Sequence, residues 1–138
     1  MLYQEFELPK YNWKIYAFYD TTLDDLDDVM NCLYHLGCPS HLAKKAYRNI
    51  SDNKPNTGLT YSKNKKTCIV LGRASDCENF SHTYVHEIFH CAIHIANEYG
   101  ISTQGEEIAY LAGDIGSLML PYASPFFCKH CNKGGKYV

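Results

Sequence analysis

The stretch from Phe80 to Tyr99 constrains the fold more than any other part of this chain. It contains neither Pro nor Gly, and Gly100 follows it directly. Pro and Gly interrupt helices, and Gly is favoured just past a helix end. Apolar residues surround the stretch nearly all round: Tyr84, Val85, Ile88, Phe89, Ala92, Ile93, Ile95 and Ala96. Because a helix that is apolar on most faces is usually buried, we expect one long helix inside the core.

This helix carries the sequence His86-Glu87-Ile88-Phe89-His90, an H-E-x-x-H motif. Two histidines four residues apart lie nearly one above the other, because four residues are slightly more than one helical turn. Both imidazoles can then bind one zinc ion, while Glu87 leaves the helix at another angle and can act as a general base. The structural alternative is a pair of core histidines bonded to backbone carbonyls.

Composition narrows the class of protein. The 138 residues suit one domain, and the 46% of hydrophobic residues can form a core. The formal charge of −2 includes no long basic tract, so nucleic-acid binding is not expected. No segment approaches the roughly 20 apolar residues of a membrane helix, and the start of the chain does not resemble a signal peptide. We therefore expect a cytoplasmic protein.

The remaining pattern predicts an α+β fold in a single domain, residues 1–138, with residues 129–138 as a loose tail. The predicted elements are a strand (Tyr11–Tyr19), two helices (Thr22–Leu36 and Ser40–Ile50), a hairpin (Leu59–Ser62 and Thr67–Leu71), the motif helix, and a last helix (Gln104–Leu120) ended by Pro121.

A catalytic zinc ion usually has three protein ligands and one open position. The last predicted helix offers Glu106 and Glu107, either of which could fold back beside the two histidines. The segment from Thr103 to Glu106 also fits a capping box, in which Glu106 would bond the amide of Thr103 and leave Glu107 as the ligand. Spacing alone does not separate these alternatives.

The motif, followed by Glu106-Glu107-Ile108-Ala109-Tyr110-Leu111-Ala112-Gly113, resembles small gluzincin-type zinc metallopeptidases of phages and mobile elements, and is similar to the ImmA/IrrE family. The resemblance covers about residues 72–121. It implies a zincin-like domain with a short antiparallel sheet packed on helices. It also implies Zn²⁺ as the cofactor, Glu106 as the third ligand, and a peptide or protein as substrate.

If the chain is a hydrolase, Glu87 would take a proton from the attacking water and deliver it to the leaving amine. Tyr110 could help to hold the developing oxyanion, and Asp114 or His94 could orient a ligand histidine. For each of these three residues the alternative is an ordinary structural role. The main functional alternative is a non-catalytic zinc-binding regulatory or host-interaction protein on the same fold; hydrolysis of a non-peptide substrate is another.

The chain contains seven cysteines, and without an export signal we expect reduced thiols. Cys128 and Cys131 form a C-x-x-C pair. Together with Cys32 and Cys38 they could bind a second, structural zinc ion. The simpler interpretation is a pair of plain thiols near the end of the chain. The oligomeric state has no signature in the sequence.

Overall fold

The computed structural model describes residues 2–127. The helices and strands in this part of the chain are β1 (Leu2–Leu8), β2 (Trp13–Thr21), α1 (Leu26–His35), α2 (Ser40–Ser51), β3 (Gly58–Lys63), β4 (Lys66–Gly72), α3 (Cys77–Tyr99) and α4 (Glu106–Ala123). Short 3₁₀ turns cover Pro9–Tyr11, Leu23–Asp25 and Ser124–Phe126. The predicted order of elements is confirmed, and β1 is an additional strand.

The four strands form one mixed sheet in the order β1-β2-β4-β3. The pairs β1–β2 and β3–β4 are antiparallel, whereas β2 and β4 run parallel. The α+β class is therefore confirmed, but the prediction of an antiparallel sheet is wrong at its centre. A parallel pair needs a long crossover connection, and here α1, α2 and β3 lie between the two strands.

Helices cover both faces of this sheet, so the domain has three layers. Alternate side chains of β2 point to opposite faces, as in any strand. Ile15 and Tyr19 belong to the core under α3 and α4. Phe18 belongs to the second core, with Val29 of α1 and Ile50 of α2. Both central strands are thus buried on two sides, which explains the continuous apolar run in β4.

Helix α3 begins three residues earlier than predicted, at Cys77. Asp76 is its N-cap, and the Asp76 side chain accepts a hydrogen bond of 2.8 Å from the amide of Asn79. At the other end, Gly100 has the left-handed conformation expected there, with φ of 67°. The predicted end of the helix is confirmed.

Helix α4 differs from its prediction at both ends. It begins at Glu106 with Gly105 as the N-cap and without a side-chain cap, so the capping box considered as an alternative for Glu106 is absent at this described helix start. It also continues through Pro121 to Ala123. A proline removes one backbone donor, but Met119 and Ala123 are fully buried and hold the last turn against the core.

Strand β3 lies at the edge of the sheet. Its hairpin with β4 turns at Asn64 and Lys65, whose φ angles of 53° and 61° match a two-residue hairpin turn. The opposite edge of β3 carries no partner strand among residues 2–127. That edge therefore presents backbone groups to whatever approaches it.

Three further sequence predictions concern the cysteines, the C-terminal tail and membrane-spanning helices. Five cysteines lie in the described region, and all are free thiols: Cys32, Cys38, Cys68, Cys77 and Cys91. The Cys128/Cys131 pair and the tail of residues 129–138 lie outside the described residues. Within residues 2–127 we find no helix that combines the length and the apolar character needed to cross a bilayer.

Candidate metal centre and edge groove

The two histidines of the motif converge. The Nε2 atoms of His86 and His90 are 3.1 Å apart, and both side chains are exposed. Zinc–imidazole bonds are about 2.0–2.1 Å long, so two nitrogens at this separation would subtend an angle of about 100° at one ion. This is close to tetrahedral geometry. The separation of the two nitrogens is therefore compatible with one zinc ion bound by both.

The pair belongs to a longer line of histidines on α3. His82 and His94 extend it by one turn in each direction. The ring centroids are 5.9 Å apart for His82 and His86, 4.7 Å for His86 and His90, and 6.4 Å for His90 and His94. His82 was not among the predicted site residues, although its position four residues before His86 places it on the same face of the helix.

Glu87 is the buried member of the motif. Its side chain is 6% exposed, and its Oε1 accepts a hydrogen bond of 2.7 Å from the Thr60 hydroxyl. Thr60 Oγ1 also lies 3.1 Å from the Glu87 backbone carbonyl. A buried carboxylate is costly unless it is hydrogen-bonded, and glutamate is rarely buried without a partner. Thr60, which the sequence did not indicate, therefore holds one carboxylate oxygen in place.

The approach of α3 to β3 depends on small side chains. Gly58, Thr60 and Ser62 alternate along β3 and all face α3, because alternate residues of a strand share a face. A Cβ atom built on Gly58 would lie 2.6 Å from Glu87 Oε2 and 2.9 Å from a methyl carbon of Thr83. Glycine at this position gives the Glu87 carboxylate room to lie against the strand.

His94 is fixed by a chain of hydrogen bonds that reaches the core. Its Nδ1 lies 2.6 Å from the Ser62 hydroxyl, which lies 2.7 Å from the Thr67 hydroxyl. Thr67 in turn accepts a bond of 2.8 Å from the indole N–H of Trp13. Burial lowers the pKa of His94, and the neighbouring His90 lowers it further. The neutral imidazole is thus favoured, and Nδ1 is already engaged.

Two clefts border β3 along its length. The first, of about 320 Å³, lies beside Gly58 and is lined by His82, His86 and Glu87 of α3 and by Lys45 of α2. The second, of about 450 Å³, lies beside residues 60–65 and reaches His94. We call the two clefts together the edge groove. Its floor is the outer edge of β3, and its walls are α2 and α3.

The predicted third ligands lie elsewhere. The Glu107 carboxylate accepts a hydrogen bond of 3.1 Å from Tyr11 and lies 3.9 Å from the Lys10 ammonium. Glu106 is exposed at the first position of α4. The structure brings neither carboxylate to the histidine pair: among residues 2–127, no group of three or more His, Cys, Asp or Glu side chains could hold a metal ion.

The reason is the side of α3 on which α4 packs. The Tyr84 hydroxyl of α3 donates a hydrogen bond to the backbone carbonyl of Gly116 in α4, and Ile88 packs against the same glycine. Residues two positions apart on a helix point about 160° away from each other. His86 and His90 each stand two positions from Ile88, so both face away from α4, and His86 lines the edge groove.

The two remaining predicted helpers also lie outside the edge groove. Tyr110 is 71% exposed on α4. Asp114 borders a separate cavity near β1, together with Lys10 and Tyr11. The structure therefore joins His86, Glu87 and His90 with His94, as the sequence suggested, and separates Tyr110 and Asp114 from them.

Comparison with protein-family models, curated proteins and solved structures yields no match. The similarity to ImmA/IrrE metallopeptidases therefore rests on the sequence motif alone.

Proposed function

We propose that this protein is a zinc-dependent peptidase in which His86 and His90 bind the metal ion and Glu87 is the general base. The observation that carries the proposal is the burial of the Glu87 carboxylate directly beside two converging imidazoles. A glutamate that served only the core would be costly to bury, and an apolar residue would serve the core better. The arrangement suits proton transfer at a metal site.

The chemistry divides between the ion and the chain. A bound zinc ion would supply a Lewis acid that activates water and polarises a carbonyl. Glu87 accepts the proton of the attacking water and returns it to the leaving amine nitrogen. Thr60 holds Oε1, so Oε2, which lies beside Gly58, is the oxygen available for this transfer.

The proposed substrate is an extended peptide. The outer edge of β3 offers backbone donors and acceptors, and a peptide that pairs with them would run along the edge groove past His86, whose Nε2 lies 3.1 Å from that of His90. The two clefts border β3 at Gly58 and at residues 60–63, so an extended ligand can contact the strand near both of its ends. A peptide is therefore a better fit than a compact small molecule.

The third ligand remains a prediction of the sequence, with Glu106 preferred over Glu107. In the described arrangement α4 lies on the other side of α3, so either carboxylate would require α4 to move. The alternative is coordination by the two histidines, water and substrate atoms. The zinc affinities of Glu106→Gln and Glu107→Gln distinguish these two possibilities. A lower affinity in one variant identifies that glutamate as the third ligand. Unchanged affinity in both supports coordination by the two histidines, water and substrate atoms.

The first experiment measures zinc binding to the full chain by competition with a chromogenic chelator. We expect His86→Ala and His90→Ala each to lower the affinity strongly, because each removes half of the converging pair. His35→Ala, an exposed histidine at the end of α1, is the matched control and should bind zinc as the wild type does. Equal affinity in all four proteins would refute the proposed metal centre.

The second experiment separates catalysis from binding. Glu87→Gln keeps the size and the hydrogen bond from Thr60 but removes the proton acceptor. We expect this variant to bind zinc normally and to lose cleavage of a peptide library assayed by mass spectrometry. If Glu87→Gln cleaves as the wild type does, Glu87 is not the base. If neither protein cleaves while both bind zinc, the non-catalytic zinc-binding alternative is favoured.

A further inference from the structure

The charge of the edge groove is opposite in sign to that of the protein. The whole chain has a formal charge of −2. Among the described residues that line the two clefts, the charged side chains apart from histidine are four lysines, Lys45, Lys54, Lys63 and Lys65, and two glutamates, Glu87 and Glu98. A cationic groove on an acidic protein selects for ligands of negative charge.

Lys45 and Lys54 line the same cleft as His86 and Glu87, the proposed metal ligand and general base. Lys45 stands on α2. Among residues 2–127 the ion pairs are Lys10–Glu107 and Lys14–Glu5, so neither lysine of this cleft is neutralised by a carboxylate in that part of the chain. The only carboxylate lining the cleft within the described residues is the buried Glu87.

The loop that carries Lys54 is tied down by backbone hydrogen bonds. The amide of Lys54 donates to the carbonyl of Asn49 at 3.0 Å, which closes the end of α2. Two residues later, the amide of Asn56 donates to the carbonyl of Arg73 at 2.8 Å, and the Asn56 side chain accepts from the amide of Ser75 at 2.9 Å. The backbone at Lys54 is therefore held at a fixed place beside the cleft.

We propose that the peptide bound in the edge groove carries a carboxylate next to the scissile bond, and that Lys45 and Lys54 bind this carboxylate. The proposal rests on the peptidase function above and adds a specificity to it. The carboxylate can come from an Asp or Glu side chain or from the C-terminus of the peptide. Its chemistry is the same in both cases, and the experiment separates the two sources.

The probes are four libraries of eight-residue peptides with randomised neutral positions. Three are acetylated and amidated and carry a central Asp, Asn or Lys; the fourth carries Asn and a free C-terminal carboxylate. Cleavage by the zinc-loaded wild type is followed by mass spectrometry. Binding is followed separately, by fluorescence anisotropy of labelled pools with Glu87→Gln. Each library is also tested with Lys45→Met/Lys54→Met and with Lys44→Met as the matched control.

We expect the Asp library, or the library with a free C-terminus, to be cleaved and bound about tenfold better than the neutral Asn library, since two partly exposed ion pairs are worth about that much together. The preference should disappear in Lys45→Met/Lys54→Met. It should persist in Lys44→Met, because Lys44 is exposed on α2 and does not line the edge groove.

Each outcome decides the proposal. Equal binding and cleavage of the Asp, free-carboxylate and Asn libraries overturns the proposal. A preference for the carboxylate libraries that survives in Lys45→Met/Lys54→Met also overturns it. Absence of binding to every library also overturns it. A preference in binding without cleavage of any library upholds the carboxylate site and refutes the peptidase function, so the two failures are distinguishable.

Discussion

Gly58→Ala tests the contact that places the proposed base. In the structure a Cβ atom on residue 58 would lie 2.6 Å from Glu87 Oε2, and 2.9 Å from both Glu87 Cγ and Thr83 Cγ2. Carbon atoms in good contact are about 3.5–4.0 Å apart, so the carbon contacts must open by at least about 0.6 Å. Glu87 and Thr83 stand on the same face of α3, and both would have to give way.

The expected cost follows from these distances. Overpacking of this kind destabilises a core by about 1–3 kcal/mol. The loss of glycine flexibility in the unfolded chain offsets about 0.4–1 kcal/mol of that. We therefore expect the free energy of unfolding to fall by about 1–2 kcal/mol. A catalytic group displaced by about 1 Å can cost about 100-fold in rate. This corresponds to about 2.7 kcal/mol of activation free energy, so the loss of turnover should exceed the loss of stability.

Urea denaturation followed by circular dichroism measures the change in the free energy of unfolding. With a urea dependence of about 2 kcal/mol per molar, the midpoint of Gly58→Ala should fall by about 0.5–1 M. Gly113→Ala is the matched control, because a Cβ atom on Gly113 would meet nothing within 4 Å. It lies inside α4, where alanine is about 1 kcal/mol more favourable than glycine. Replacement of glycine by alanine should therefore raise the free energy of unfolding at residue 113 and lower it at residue 58.

The reasoning fails if Gly58→Ala unfolds at the same urea concentration as the wild type, or at a higher one. In that case β3 and α3 do not approach as closely as described, and Glu87 is not confined by the strand. A midpoint that falls while turnover of a cleaved peptide is unchanged would show that the contact exists but does not position the base.

Two further predictions concern other groups near the motif. Thr60→Val removes the donor to the Glu87 carboxylate and should lower the free energy of unfolding in urea by about 1.5–3 kcal/mol, whereas Thr60→Ser retains the donor. The same Thr60→Val change made in the Glu87→Gln background should cost less. Equal costs in the two backgrounds would contradict a hydrogen bond to a charged carboxylate. Burial raises the pKa of Cys91 from 9.0 to about 12, so the folded thiol stays protonated where the unfolded thiol ionises. The unfolding free energy should therefore fall with rising pH in this interval, by at most about 1.4 kcal/mol per unit, and the fall should be smaller in Cys91→Ala.

The helices were largely predictable because their signals are local. The end of α3 was marked by Gly100, and the interior by an unbroken apolar run. Its first turn was missed because the N-cap, Asp76, stands among other polar residues, and because Glu78 and Asn79 delay the start of the apolar pattern to Phe80. The end of α4 was placed too early because the prediction assumed that Pro121, which lacks a backbone N–H donor, ends the helix. Packing of the last turn against the core was not visible in the sequence. Burial of Met119 and Ala123 outweighs that loss.

The sheet was less predictable because its pairing is not local. Strand β1 alternates apolar and polar residues, but its charged Glu5 and Glu7 weaken the pattern of a strand. The parallel pairing of β2 with β4 joins Lys14 to Lys66, and no feature of either strand specifies its distant partner. The hairpin β3–β4 was found because a turn of four polar residues connects its strands directly.

The site shows the same division between local and distant contacts. Spacing within one helix predicted that His86 and His90 converge, and the structure agrees. The partners of Glu87 lie on β3, 27 residues away for Thr60, and depend on the register of the hairpin. The alternation of Gly58, Thr60 and Ser62 was visible, but a row of small residues on one face of a strand has meaning only once the facing helix is known.

One helix cannot present the same side chains to two neighbours, and this limits which element can complete the site. The motif directs Glu87 towards β3 and His86 towards the edge groove, whereas Ile88 is directed towards α4. These directions follow from 100° per residue and cannot be changed by rotating side chains alone. A ligand from α4 would therefore require α4 to move from its place beside Tyr84 and Ile88. With α4 packed on the other side of α3, a peptide bound along the edge of β3 reaches His86 without any movement of the two helices.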